Sequence, residues 1–274
     1  MNIKKSMAFI FIALLCVSIS ACSWIPLYNY TLKDRPKYVN NHTNQNKTTY
    51  DGSIKVVSYN IKHSKKMDKA IKLIKEHEKL ADADIIFLQE MTPDGIIQIA
   101  HALNYNFVYY PAILHPQLKK DFGNAIVSKW PLSDDYKIIL PPITHKSRQR
   151  IAIGATVKIN NKTINVFSLH MGIFIRPDER KNMVDLIINS VDETCQYSII
   201  GGDFNSFTKK DRKNITESFA RLDYQHATPD IGWTYKQWYF FNRKAPLDHI
   251  FAKNMHVVQS GKIEDRSPDR INSG

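Results

Sequence analysis

The chain has 274 residues, a formal charge of +12 at neutral pH and three cysteines. That length suits one large α/β domain as well as two small ones. Cys16 and Cys22 fall near the start, so Cys195 stands alone and an internal disulfide framework is excluded. The fold must be held by its core. The positive balance favours polyanions such as nucleic acid, anionic lipid headgroups or lipopolysaccharide. It equally reflects a chain rich in Lys, Asn and Ile throughout, with no single basic stripe.

Lys4 and Lys5 open the chain. An apolar run over 7–19 follows, too short to span a bilayer and of the length of a signal-peptide core. It ends in Ile19-Ser20-Ala21-Cys22, which resembles the lipobox of bacterial lipoproteins. That resemblance implies a signal peptide over residues 1–21, lipidation of Cys22, export and a membrane anchor. Ser23 then points to the outer membrane. An ordinary signal peptide cut nearby is the other reading. Residues 22–50 are polar and irregular, with no apolar residue between Asn40 and Thr49, and predict a flexible tether. The globular domain is expected over 51–274.

Within it, residues 54–59 predict a β-branched strand. Met67, Ala70, Ile71 and Ile74 recur at helical spacing, with lysines on the other face. Residues 84–89 form an apolar run expected to be buried on both faces of a sheet. Ile96, Ile97, Ala100 and Leu103 predict a second helix. Further strands are expected over 107–110, 125–128, 151–159 and 163–169. Pro177-Asp178-Glu179 opens a third helix, with proline in its first turn and acids at the positive dipole end. A buried strand over 197–200 runs into Gly201-Gly202-Asp203-Phe204-Asn205, and a last strand covers 249–251. An aromatic stretch over 233–241 reads first as core packing, and otherwise as a surface for membrane or bases. Several strands follow one another without helices, which predicts a mixed sheet or two packed sheets.

Polar residues stand repeatedly at the strand ends: Asn60, Glu90, His170, Asp203 with Asn205, and Asp248. Each alone is equally a turn or cap. Together they lie where α/β sheets bind ligands. The two glycines before Asp203 would let the backbone approach a ligand closely. Asp203 and Asn205, two residues apart, would present a carboxylate and an amide to one point. Carboxylates and amides suit a hard cation such as Mg²⁺ or Mn²⁺. Zinc spacing, a G-x-S-x-G turn and a P-loop are all absent.

Six stretches in order carry a resemblance: Val57-Ser58-Tyr59-Asn60, Phe87-Leu88-Gln89-Glu90, Gly123-Asn124-Ala125-Ile126-Val127-Ser128, Ser168-Leu169-His170, Gly202-Asp203-Phe204-Asn205 and Leu247-Asp248-His249-Ile250. The chain resembles the endonuclease/exonuclease/phosphatase superfamily, which includes deoxyribonuclease I and the sphingomyelinases. The resemblance implies an α+β fold, a four-layer αββα sandwich, and a metal-dependent phosphoesterase acting on phosphodiesters of nucleic acid or phospholipid headgroups. It implies Glu90 and Asn60 at a Mg²⁺ or Mn²⁺ ion, and Asp203 orienting or deprotonating the attacking water. Asn205 and His170 would hold the phosphate. Asp248 would orient a histidine supplied by a final motif, and Arg150 and Arg180 would bind substrate. His249 is expected to face away from the site, because adjacent strand residues point to opposite faces. A monomer is expected.

The family's final Ser-Asp-His motif does not occur in Glu264–Gly274. A sandwich lacking its last strand is therefore expected. The alternative function is a catalytically weak surface lipoprotein that binds polyanions.

Overall fold

The computed structural model describes residues 28–41, 50–142, 148–236 and 244–263. Strands β1 (Tyr28–Asn29), β2 (Tyr38–Asn40), β3 (Val56–Asn60), β4 (Ile85–Met91), β5 (Asn106–His115) and β6 (Lys120–Ser128) form one sheet, in the order β1-β5-β6-β4-β3, with β2 also on β5. A second sheet runs β11-β14-β10-β9-β8-β7. Its members are β7 (Leu132–Ile139), β8 (Ile151–Ile159), β9 (Lys162–His170), β10 (Tyr197–Asp203), β11 (Tyr224–His226) and β14 (Asp248–Lys253). Short strands β12 (Tyr235–Lys236) and β13 (Lys244–Ala245) pair separately. The helices are α1 (Met67–Glu76), α2 (Pro93–Leu103), α3 (Pro177–Ile188) and α4 (Lys209–Ala220).

Period-two alternation divides these strands between two interfaces. Ile85 and Phe87 of β4 face Ile153, Val166 and Ile199 of the second sheet. Their neighbours Ile86 and Leu88 face outward onto Ile74 of α1 and Ile96 and Ile99 of α2. This double burial explains the unbroken apolar run over 84–89. Phe167, Leu169 and Ile200 face outward in the second sheet, against Met183 and Ile187 of α3 and Phe219 of α4. The order of layers is α, β, β, α, as expected of the sandwich. The second helix expected from Ile96, Ile97, Ala100 and Leu103 is α2, which starts with the Thr92 hydroxyl accepting from Gly95 N–H at 3.3 Å and Pro93 in the first turn.

Three features differ from expectation. Residues 28–41, placed in the tether, belong to the sandwich: β1 and β2 extend the first sheet along β5. The reason is aromatic. Tyr30 and Tyr38 both donate to the Asp121 carboxylate, and Asn41 brackets Leu132 with reciprocal bonds of 2.8 and 3.1 Å. Strand β7 was not anticipated, because Ser133-Asp134-Asp135 looks like a turn. Helix α4 was missed too: its sequence is polar except for Ile215 and Phe219, which are buried, and the exposed terminal Ala220. Its start was legible in Thr208 and Asp211, whose side chains cap each other's backbone N–H at 3.0 and 2.9 Å.

Among the described residues no strand pairs with the free side of β3. A groove of about 1280 Å³ opens there between Ile54 and Val56 on one side and Ile199 and Ile250 on the other. It reaches Asn60, Asp203 and Asp248 at one end. The proposed signal peptide and Cys22, parts of the 233–241 aromatic stretch and residues 264–274 lie outside the described residues.

Candidate active site

Strand register assembles the site. Strand β9 runs parallel to β10 with His170 opposite Asp203, and β14 runs antiparallel to β10 with Asp248 opposite Asp203. Three chemically active side chains thus stand side by side on three neighbouring strands. All three point between the sheets, as Val166, Ile199 and Ile250 do on the same faces. Ile151 pairs with His170, which sets Arg150 beside the same histidine.

The first sheet contributes Asn60 and Glu90. Asn60 shares the inward face of β3 with Val56. Its Nδ2 donates to Glu90 Oε1 at 3.3 Å and crosses between the sheets to Asp203 Oδ2 at 3.1 Å. Glu90 reaches this point through a bulge. Gln89 already faces inward, 3.4 Å from Ser168 Oγ, so regular alternation would send Glu90 outward. The β4–β6 register slips between Leu88 and Met91, and Glu90 takes a φ of +60°. An irregularity that is costly for a non-glycine residue turns the carboxylate back toward the site.

Asp203 is buried and accepts from Asn60 Nδ2 and from Asn205 N–H at 2.9 Å. The second bond makes Asp203–Asn205 an Asx turn, so the turn and the site are one structure. Burial raises the Asp203 carboxyl well above the usual range, and the facing Asp248 adds to the effect. Asp248 is pushed up to about 6 by burial, against a hydrogen bond from Thr234. Burial, with Arg150 alongside, holds His170 well below its ordinary value, so the ring is neutral. Arg150 Nη1 lies 3.2 Å from Nδ1 of His170 and can only donate. The same Nη1 lies 3.5 Å from His170 Nε2, which is itself 3.7 Å from Asp203 Oδ2.

Several expectations are refined. The Asn205 amide is partly committed within the fold: its Nδ2 donates to Met171 O at 2.8 Å. The glycines serve packing, not ligand approach. A Cβ on Gly201 would sit 3.0 Å from the Phe87 ring, and one on Gly202 would sit 2.1 Å from Leu169 O, at a φ of +144°. Arg180 is not a substrate residue. It is 1% exposed and occupied by Asp211 and the carbonyls of Gly172, Phe204, Ile173 and Ile175. Its polar partners lie inside the fold, which is why a basic residue there looks like a phosphate ligand in sequence alone.

His63 was overlooked. It follows Asn60 by three residues, in a run where Lys62, His63 and Ser64 all have positive φ, and its Nε2 lies 3.4 Å from Glu90 Oε2. A polar residue just past a strand end was the available signal. Thr234 was overlooked too; its hydroxyl accepts from the N–H groups of Leu247 and Asp248 at 2.9 and 3.1 Å.

No three His, Cys, Asp or Glu side chains converge as a metal site among the described residues. The oxygen-rich set still fits a hard cation. Glu90 Oε2 is buried without a hydrogen bond, and the Asn60 amide bridges two carboxylates, Glu90 and Asp203, that call for positive charge. One or two carboxylates completed by water and substrate oxygens is how Mg²⁺ is usually bound.

A two-sheet sandwich with carboxylates, a neutral histidine and amides gathered at its strand ends defines a hydrolase of the deoxyribonuclease I type. Residues 57–270 match the Endonuclease/Exonuclease/phosphatase family, and the chain belongs to it; its members are hydrolases of phosphoester bonds that usually use divalent metals. Solved structures share the fold. One is a family protein from Leptotrichia buccalis, 16% identical, TM-score 0.56, with 73% of this chain and 88% of that chain covered. Another is D. rerio TDP2 complexed with a single-strand DNA product, 15% identical, TM-score 0.60, covering 74% and 84%. A third is a mannosyl-6-phosphatase of Bacteroides thetaiotaomicron, 17% identical, TM-score 0.56, covering 74% and 86%. No functionally curated protein matches the chain.

Proposed function

We propose that the chain is a Mg²⁺- or Mn²⁺-dependent phosphodiesterase that hydrolyses its substrate with an activated water. The observation that carries this reading is the buried Asp203, flanked in register by His170 and Asp248 and bridged by Asn60 to Glu90. Glu90, with Asn60 beside it, would hold the ion, which supplies positive charge to the phosphoryl and leaving oxygens.

The chain's own groups do the rest. Asp203, whose proton affinity is raised by burial and by Asp248, takes a proton from the attacking water. A water-oxygen bond to phosphorus forms as the ester P–O bond breaks. The ester oxygen leaves with the bonding pair and gains a proton from solvent. An N–H of the neutral His170 ring offers a donor to a phosphoryl oxygen, and Arg150 beside it adds charge. Asn205 uses one amide hydrogen on Met171 O and has a second for phosphate.

The basic charge and export leader favour nucleic acid or a phospholipid headgroup as substrate. The lipobox-like run Ile19-Ser20-Ala21-Cys22 favours an anchor through Cys22 at the outer membrane. The test is hydrolysis of a generic phosphodiester with Mg²⁺ or Mn²⁺, run beside DNA, RNA and sphingomyelin. Turnover should vanish with chelator and fall by about 10²–10⁴ in Asp203→Ala, the usual contribution of a general base. Chelator-insensitive turnover, or an Asp203→Ala variant as active as wild type, would overturn the reading. A second reading is polyanion binding without turnover, which the formal charge of +12 supports. It requires DNA or anionic vesicles to bind with no hydrolysis in any arm.

A further inference from the structure

Behind the site, on the outward face of β10 and β14, lies a chain of buried polar side chains that the proposed reaction does not use. Ser206 Oγ is 2.8 Å from the Pro246 carbonyl oxygen and 2.8 Å from His249 Nε2. His249 Nδ1 is 3.1 Å from His226 Nε2. Directions follow from one fixed point. A carbonyl can only accept, so the hydroxyl proton of Ser206 goes to Pro246. Nε2 of His249 must then donate to Ser206. Its Nδ1 is left as an acceptor, and His226 Nε2–H fills it. Ser206 is fully buried, so the chain is not a nucleophile and its base.

We propose that His249 is a positioning residue, which sets the Asp203–Asn205 turn against Asp248 through the directed chain His226, His249, Ser206 and Pro246. The proposal rests on the phosphoesterase reading for its effect on turnover. Ser206 directly follows Asn205, and Pro246 lies two residues before Asp248. The same segments are joined by the bond from Phe204 N–H to Leu247 O at 2.9 Å and by the ladder pairing of Asp203 with Asp248. His249 is 4% exposed, and its ring lies 5.5 Å from that of Phe204, while His226 stacks on Phe251 at 4.4 Å. In such apolar surroundings a phenylalanine would avoid the cost of burying a polar ring. What the imidazole adds is a donor of fixed direction.

The experiment compares His249→Phe, His249→Gln and Ser206→Ala in the full chain. Glutamine keeps a donor near the place of Nε2. With ¹⁵N-labelled histidine and asparagine, wild type should show His249 protonated on Nε2 alone. The Asn205 side-chain amide resonance should move in His249→Phe and Ser206→Ala and return toward wild type in His249→Gln. Turnover should fall by about tenfold in His249→Phe and Ser206→Ala, with KM within about twofold, as small misplacements of catalytic groups do. Their double variant should lose no more. An unmoved Asn205 amide, an Nδ1-protonated His249 or additive losses would overturn the proposal. A moving amide with no turnover in any variant, wild type included, would keep the positioning role and sink the phosphoesterase reading instead.

Discussion

Replacing Arg180 by methionine separates two meanings of a basic residue near a phosphate site. The guanidinium donates from Nε to Asp211 Oδ1 at 3.1 Å and from Nη1 to Gly172 O and Phe204 O at 3.1 and 2.6 Å. Methionine fills much of the volume but leaves Asp211, 3% exposed, with only Thr208 to hold it. Breaking a buried ion pair from one side costs about 3–5 kcal/mol, because the remaining charge stays buried. The orphaned carbonyls keep the figure toward the upper half. For a domain of this size each kcal/mol moves Tm by roughly 2–4 °C, so a fall on the order of 10 °C is expected. Urea unfolding of wild type, Arg180→Met and Arg180→Met/Asp211→Asn measures it. The double variant should recover part of the loss, since it removes the stranded charge while keeping a cap for α4. Turnover should fall as well, because Phe204 O and Gly172 O flank Asp203 and His170 in sequence. If Arg180→Met unfolds within about 0.5 kcal/mol of wild type, as a surface change would, and instead raises KM alone, Arg180 is a substrate ligand and the buried-pair account fails.

Three further outcomes follow from the same coordinates. Burial lowers the Lys137 amine to about 8, so between about pH 8 and its unfolded value of 10.5 the unfolded chain holds more protons and stability rises with pH. Urea melts from pH 7.5 to 9.5, on the order of that window, should show this gain in wild type relative to Lys137→Met, and a flat difference would refute it. Gly202→Ala should destabilise by about 3 kcal/mol, since its Cβ meets Leu169 O at 2.1 Å and the φ of +144° is itself strained; a melt within 1 kcal/mol, roughly the mean effect of any substitution, would show that β9 yields freely. Glu90→Gln should raise the Mg²⁺ or Mn²⁺ concentration needed for half-maximal turnover by about tenfold or more, as loss of a carboxylate ligand weakens a hard cation. An unchanged metal response would place the ion elsewhere.

The parts of this protein legible in sequence are those where local pattern and tertiary role coincide. The run from Asp84 to Gln89 could be read as a doubly buried strand because both of its faces are apolar. Asn60, His170 and Asp203 could be read as site residues because each follows such a run. The illegible parts depend on partners far along the chain. Tyr30 and Tyr38 look like tether until Asp121 accepts from both. Arg180 looks like a surface cation until Asp211, 31 residues on, buries it. Glu90 was read from its place after Leu88 and Gln89, but the bulge that turns it inward has no mark in the sequence.

The site's dependence on register explains why its residues occur at fixed offsets from the strands and not from one another. His170, Asp203 and Asp248 meet because Ser168 pairs with Gly201 and Gly201 with Ile250, two residues before or after each. A slip of one residue on β10 would point Asp203 at α3 and α4 and bring Gly202 between the sheets. Phe204 would then face the inter-sheet core instead of Phe219 and Phe251, whose rings it meets at 6.1 and 5.8 Å. The outward aromatic cluster thus resists the slip that would dismantle the site. The packing of Phe204 between Asp203 and Asn205 is therefore part of what aims the carboxylate, although the phenylalanine itself touches no phosphate.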